Sequence, residues 1–201
     1  MAGAITPNVE SRAARVAAFI VALLLIGSPA EAQAWREYRY SGFAISFPAE
    51  PTIESGTYAT AEGTTVDARI YSAQQDGVLY KVTVAEVSRG RRDEAKIVNE
   101  AIGRLTENGD IVVDLPHRVN GIVGRQLSIA GHDGGRTAVA VFYRSRRLYL
   151  VEGIILPTSD DPMSSAGMRF QQSLRFINPS ARGNYLCELR LVPLNLVDRA
   201  R

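Results

Sequence analysis

The stretch Thr64-Thr65-Val66-Asp67-Ala68-Arg69-Ile70-Tyr71-Ser72-Ala73-Gln74-Gln75-Asp76-Gly77-Val78-Leu79-Tyr80-Lys81-Val82-Thr83-Val84-Ala85-Glu86-Val87 decides the fold class. From Thr64 to Ala73, Val66, Ala68 and Ile70 oppose Asp67, Arg69 and Tyr71 at a period of two, the mark of a half-buried strand. Gln75-Asp76-Gly77 follows, and Asp-Gly tolerates the positive φ angles of a tight hairpin turn. Val78 to Val87 then returns through Tyr80, Val82 and Val84. Two antiparallel strands are expected around Asp76-Gly77.

Upstream, Phe43, Ile45 and Phe47 alternate with Ala44 and Ser46 until Pro48 and Pro51 stop the run. Thr52 to Ala61 reads as a weaker strand closed by Glu62-Gly63. Downstream the period changes. Ala95, Val98, Ile102 and Leu105 recur at helical spacing between Asp93 and Glu107, with Asp93 as a cap and Asn108-Gly109 as the left-handed exit. A short strand, Ile111 to Val113, is expected to end at Leu115-Pro116. A meander follows: Ile122 to Ala130, Thr137 to Ser145 and Leu148 to Leu156, the last two joined near Arg146-Arg147. Asp160-Asp161-Pro162 has the chemistry of a helix start, and Met163, Ala166, Gly167, Phe170 and Leu174 line one face as far as Phe176.

Strands, helix, strands, helix is the order of an α+β fold: an antiparallel sheet of about six to eight strands carrying two main helices. The opening Gly42-Phe43-Ala44-Ile45-Ser46-Phe47-Pro48 with Pro51 resembles the first strand of the PsbP-like superfamily. Met168-Arg169-Phe170-Gln171-Gln172-Ser173-Leu174-Arg175-Phe176 is similar to that group's closing helix, and the order of elements agrees from Trp35 to Asn178. The resemblance implies an antiparallel sheet between helices, in small and mostly non-enzymatic exported or adaptor proteins. It carries over no catalytic residue, and the tail after Pro179 departs from its pattern.

Residues 1–34 have the three parts of a secretory signal. Arg12 and Arg15 are basic, Val16 to Ile26 is an unbroken apolar run of eleven residues, and Ala30-Glu31-Ala32 and Ala32-Gln33-Ala34 are small-x-small sites. Eleven helical residues span roughly 16 Å, about half a hydrocarbon core, so cleavage after Ala32 or Ala34 is expected rather than anchorage. No cysteine stands at the end of the apolar run to accept a lipid. Export to the periplasm or beyond is therefore expected, with residues 35–178 as one domain, 179–201 as a tail and no membrane span after cleavage.

The single cysteine, Cys187, excludes an intrachain disulfide and a thiolate zinc cluster. A net charge of +2 is too small to point to nucleic acid. His117, placed in a connection after Leu115-Pro116, and His132, in the turn Gly131-His132-Asp133-Gly134-Gly135, are the residues on which a hydrolase would rely. Neither has a second His or Cys at ligand spacing, and the glycine-rich turn lies between two strands rather than before a helix, where anion-cradling loops sit. No catalytic residue, cofactor or metal ligand is assigned. Two arginine groups remain: Arg89, Arg91 and Arg92 after the Val78–Val87 strand, and Arg144, Arg146 and Arg147 at the late hairpin. If the fold brings them together they form a cationic patch for anionic lipid, polysaccharide or an acidic protein, since guanidinium forks suit phosphate and carboxylate. The expectation is a non-catalytic envelope binding or accessory protein. The alternatives are a hydrolase using His117 or His132 with Asp133, and a secreted protein interacting through its leucine-bearing tail.

Overall fold

The computed structural model describes residues 35–87 and 94–178, so the expected signal segment, Arg89, Arg91, Arg92 and the tail from Pro179 lie outside the described residues. The strands are β1 (Arg36–Tyr40), β2 (Phe43–Phe47), β3 (Thr52–Ala59), β4 (Thr65–Gln75), β5 (Val78–Glu86), β6 (Gly109–Val119), β7 (Ile122–Gly131), β8 (Arg136–Arg144), β9 (Arg147–Ile155) and β10 (Arg175–Phe176). Helix α1 (Glu94–Leu105) separates β5 from β6, and α2 (Ala166–Gln172) precedes β10.

Seven strands form one antiparallel sheet in the order β3-β4-β5-β9-β8-β7-β6, and β1-β2-β10 form a small second sheet. Three hairpins of the large sheet close through two residues with positive φ: Asp76-Gly77, Asn120-Gly121 and Ser145-Arg146. Paired left-handed residues match the strands' own twist, which is why Asp-Gly and Asn-Gly dominate such turns. Ser145 and Arg146, at φ 51° and 65°, are the exception, since both carry a Cβ that opposes this conformation.

The strand period sorts side chains onto two faces. Ala85, Leu127, Ile129, Val139, Val141, Leu148 and Leu150 meet Ile97, Val98, Ala101 and Ile102 of α1. On the other face Tyr71, Tyr80, Val82, Phe142, Tyr149 and Val151 meet Phe43, Ile45 and Phe47 of β2, together with Phe170, Leu174 and Phe176. The sheet is thus covered on both sides, by α1 on one and by the small sheet with α2 on the other. The α+β class and the central antiparallel sheet agree with the sequence reading.

Four local expectations are corrected. Strand β1 was absent from the reading, although Tyr38 and Tyr40 pack on the core while Glu37 and Arg39 alternate with them. The buried stripe of α1 includes Ile97 and Ala101, whereas Ala95 is exposed. Strand β6 does not stop at Pro116 but runs eleven residues from Gly109 to Val119. Counting from the turn-flanking pair Val119↔Ile122, Pro116 opposite Arg125 falls on the alternate set whose N–H points away from β7. Strand β6 is the sheet's edge, so the missing donor costs no ladder bond.

The late helix is shorter than its apolar spacing suggests. Asp161 accepts the N–H of Met163 through its side chain at 3.2 Å, and Ser164 Oγ accepts that of Ala166 at 3.3 Å. These local bonds compete with the helix and hold residues 160–165 in turns. At the other end Ser173 Oγ donates to the Phe170 carbonyl and accepts the Ser46 N–H, while Arg175 and Phe176 pair with Ala44 and Phe43. Phe176 is buried as expected, but from a strand.

Candidate functional site

The small sheet covers only part of its face. Beyond the β1–β2 turn, the large sheet is open where β4, β5 and β9 end, and two adjoining pockets of about 510 and 470 Å³ lie there. Both are lined by Ser41, Glu86 and Arg147. The first is bounded by the Ser41-Gly42 turn on one side and the Ser145-Arg146 turn on the other, with Tyr149 also lining it. The second extends across the sheet to Asp67, Arg69 and Ser55.

Register explains the charge arrangement. Glu86 is the direct cross-strand partner of Arg147, whose Nη2 lies 3.3 Å from Oε1 of Glu86. One residue beyond the last β4–β5 pair, Ala68↔Ala85, the strands present Asp67 and Glu86 to the same pocket. Arg147 in turn pairs with Arg144 in the β8–β9 ladder. Acidic side chains therefore come from β4 and β5, and basic ones from the β8–β9 hairpin and, through Arg69, from β4. At the floor, Gly42 has a φ of 97°, and a Cβ there would meet Tyr149 Oη at 3.3 Å. Burial raises the Tyr149 phenol above its usual pKa, while hydrogen bonding from Arg147 and the charges of Arg147 and Arg144 pull it down.

The three described arginines of the expected patch have separate roles. Arg144 reaches the carbonyls of Gly42 and Ile177, both at 3.4 Å, and Asn178 Oδ1 at 3.0 Å, with its guanidinium 5.3 Å from the Phe176 ring centroid. It clasps the small sheet to the large one and is not a free cation. Arg147 is paired with Glu86. Arg146 is exposed at the hairpin tip, and its guanidinium has no partner among the described residues. Asp67 is likewise exposed and unpaired among the described residues.

Neither histidine lies at this corner. His117 is corrected from a loop to strand β6, where its ring is 5.5 Å from that of Phe142 and Nε2 is buried without a partner among the described residues. Burial lowers its pKa from 6.5. The strand opposite passes Gly124, where a Cβ would collide with the Phe142 ring, so the imidazole and the phenyl share the room that a glycine leaves. His132 is exposed in the β7–β8 turn, with Nε2 3.8 Å from Oδ2 of Asp110, while Asp133 Oδ1 accepts the Gly135 N–H at 2.9 Å. The two imidazoles flank opposite ends of β7, roughly 25 Å apart at strand rise, and cannot act on one substrate atom. Among the described residues no three His, Cys, Asp or Glu side chains gather as a metal site.

Ser41, Gly42, Asp67, Glu86 and Tyr149 were missed by sequence reasoning. Glu86 carried one available signal, a charge continuing the series Tyr80, Val82 and Val84 just where the apolar alternation stops, whereas Asp67 carried none, because it alternates with Val66, Ala68 and Ile70 as a solvent-facing residue would. No family model matches the chain, and no curated protein matches it. Among solved structures it is similar to cyanobacterial PsbP (CyanoP) from Synechocystis sp. PCC 6803, with a TM-score of 0.49 and 11% identity over 76% of this chain and 99% of that one. It is also similar to PA94, a protein of unknown function from Pseudomonas aeruginosa, with a TM-score of 0.39 and 11% identity over 67% of this chain and 91% of that one.

Proposed function

We propose that the protein is an exported, non-catalytic binding module of the bacterial envelope that holds an anionic group of its ligand at the β8–β9 corner. The observation that carries this reading is Arg146. A guanidinium with no partner among the described residues stands on a strained turn at the rim of a pocket, beside a second guanidinium that is already oriented by Glu86. Strain retained at a pocket rim is the kind of outlier from which a functional role is inferred. Export rests on the signal-like segment at residues 1–34. The anion expected from the sequence keeps two of its six arginines here, Arg146 and Arg147, because Arg144 is structural and the other three lie outside the described residues.

The test is a titration of the exported protein with ethyl phosphate and with acetate, followed by amide chemical shifts. Shifts centred on Ser41, Gly42 and Ser145 to Arg147, weakening with salt and absent in Arg146→Ala/Arg147→Ala, support the reading. Shifts that are scattered, or that survive the double substitution, remove it. Intact mass of the exported form should begin at Gln33 or Trp35; a full-length membrane-bound product would contradict export.

A further inference from the structure

Resting on that reading, we infer that the ligand of this corner is a zwitterion: its anionic group sits on Arg146 and Arg147, and a cationic group on the same molecule sits on Asp67 and Glu86. Three facts converge on this. The two pockets are not separate sites, because Ser41, Glu86 and Arg147 belong to both. Their outer ends carry opposite charges that have no partner among the described residues, Arg146 at one and Asp67 at the other, while Arg69, which lines the same end as Asp67, is engaged with a partner of its own. Between them stands an ion pair, Glu86 with Arg147, that is satisfied before any ligand arrives.

That middle pair discriminates among ligands. A simple anion that took over the Arg147 guanidinium would strip Glu86 of its partner and leave a carboxylate facing the incoming negative charge. A polyanion, such as acidic polysaccharide or a surface of anionic lipid, would in addition be laid against Asp67. Repulsive elements of this kind set specificity as much as attractive ones do. A molecule carrying both charges exchanges partners instead: its anion replaces Glu86 at Arg147, and its cation replaces Arg147 at Glu86, so no charge is left uncompensated. Asp67, Glu86 and Arg147 come from β4, β5 and β9, which are successive neighbours in the sheet. At the spacing of adjacent strands, the two ligand charges should be about 5–10 Å apart.

The experiment uses two matched pairs of probes, with wild type and two variants at low salt. One pair is phosphoethanolamine and ethyl phosphate; the other is Nα-acetyl-lysine and Nα,Nε-diacetyl-lysine. Within each pair only the cation differs, and the pair with the larger difference identifies the anion as phosphate or carboxylate. The cation-bearing member should bind about two- to fivefold more tightly, the worth of an exposed ion pair. Asp67→Asn should bring it down to the affinity of its neutral analogue, while Arg146→Ala should weaken both members. Equal affinity within both pairs, or a preference that survives Asp67→Asn, overturns the zwitterion; if Arg146→Ala still weakens binding, the anion site stands without it. Binding of none of the four probes removes both.

Discussion

Gly153 of β9 and Gly167 of α2 touch backbone to backbone: a Cβ on Gly167 would lie 2.7 Å from the Gly153 carbonyl oxygen, and one on Gly153 would lie 2.8 Å from that of Gly167. This contact lets a seven-residue helix lie flat on the sheet and drive Phe170 into the core, where it is fully buried. Either glycine changed to alanine should lift α2 and cost about 1–3 kcal/mol, as overpacking does. Urea midpoints would show it. An unchanged midpoint for both would mean that α2 does not rest on β9 through this pair.

The edge strand makes a different kind of prediction. Ile111, Val112, Val113 and Leu115 of β6 are all exposed, as is Val123 beside them on β7. A long apolar edge invites pairing between copies, and the chain blunts it twice, with a register shift between Ile111 and Val113 and with Pro116 where an outward N–H would stand. Pro116→Val restores that donor. Sedimentation across a concentration series should show self-association of the variant under conditions that leave the wild type unassociated.

His117 gives the protein an acid sensitivity. Burial depresses the pKa of its imidazole, so an unfolded chain binds this proton more readily than the folded one. The folded chain therefore loses stability as pH falls, by linkage. The contribution is complete above about 6.5, the unpartnered value, and drains away as pH drops through the lower folded-state value. His117→Leu removes the titrating group while keeping an apolar contact with Phe142. The stability difference between the two proteins should move in favour of the variant between pH 7 and pH 5. A constant difference across that interval would show that His117 does not titrate on unfolding.

The large sheet was legible because Asp76-Gly77 and the alternation on either side of it are local signals that tertiary packing only reinforced. Pro116 misled because its meaning depends on whether β6 is an edge, which no local window contains. Asp160-Asp161-Pro162 misled because capping residues also close Asx-type turns, and here Asp161 bonds two residues ahead and starts no helix. The corner site was half legible. Arginine clustering pointed to the β8–β9 hairpin, but which guanidinium lacks a partner among the described residues depends on residues far along the chain: Glu86 for Arg147, and Gly42 and Asn178 for Arg144. The acidic half required register across three strands.

That division of labour among the arginines can be measured. Arg144→Ala removes three hydrogen bonds and a ring contact that join the β1–β2 turn and the end of β10 to the large sheet. It should lower stability by about 1.5–3 kcal/mol, the range for hydrogen bonds from a charged donor. Arg146→Gly does the reverse. Its φ of 65° strains a residue with a Cβ, and glycine adopts it freely, so the variant should gain about 1 kcal/mol. The same variant should lose affinity for ethyl phosphate, because the guanidinium it deletes is the one without a partner among the described residues. Thermal denaturation and phosphate titration of the two variants therefore form a crossed pair. If Arg146→Gly binds phosphate as wild type does while gaining stability, the strained turn serves something other than the anion.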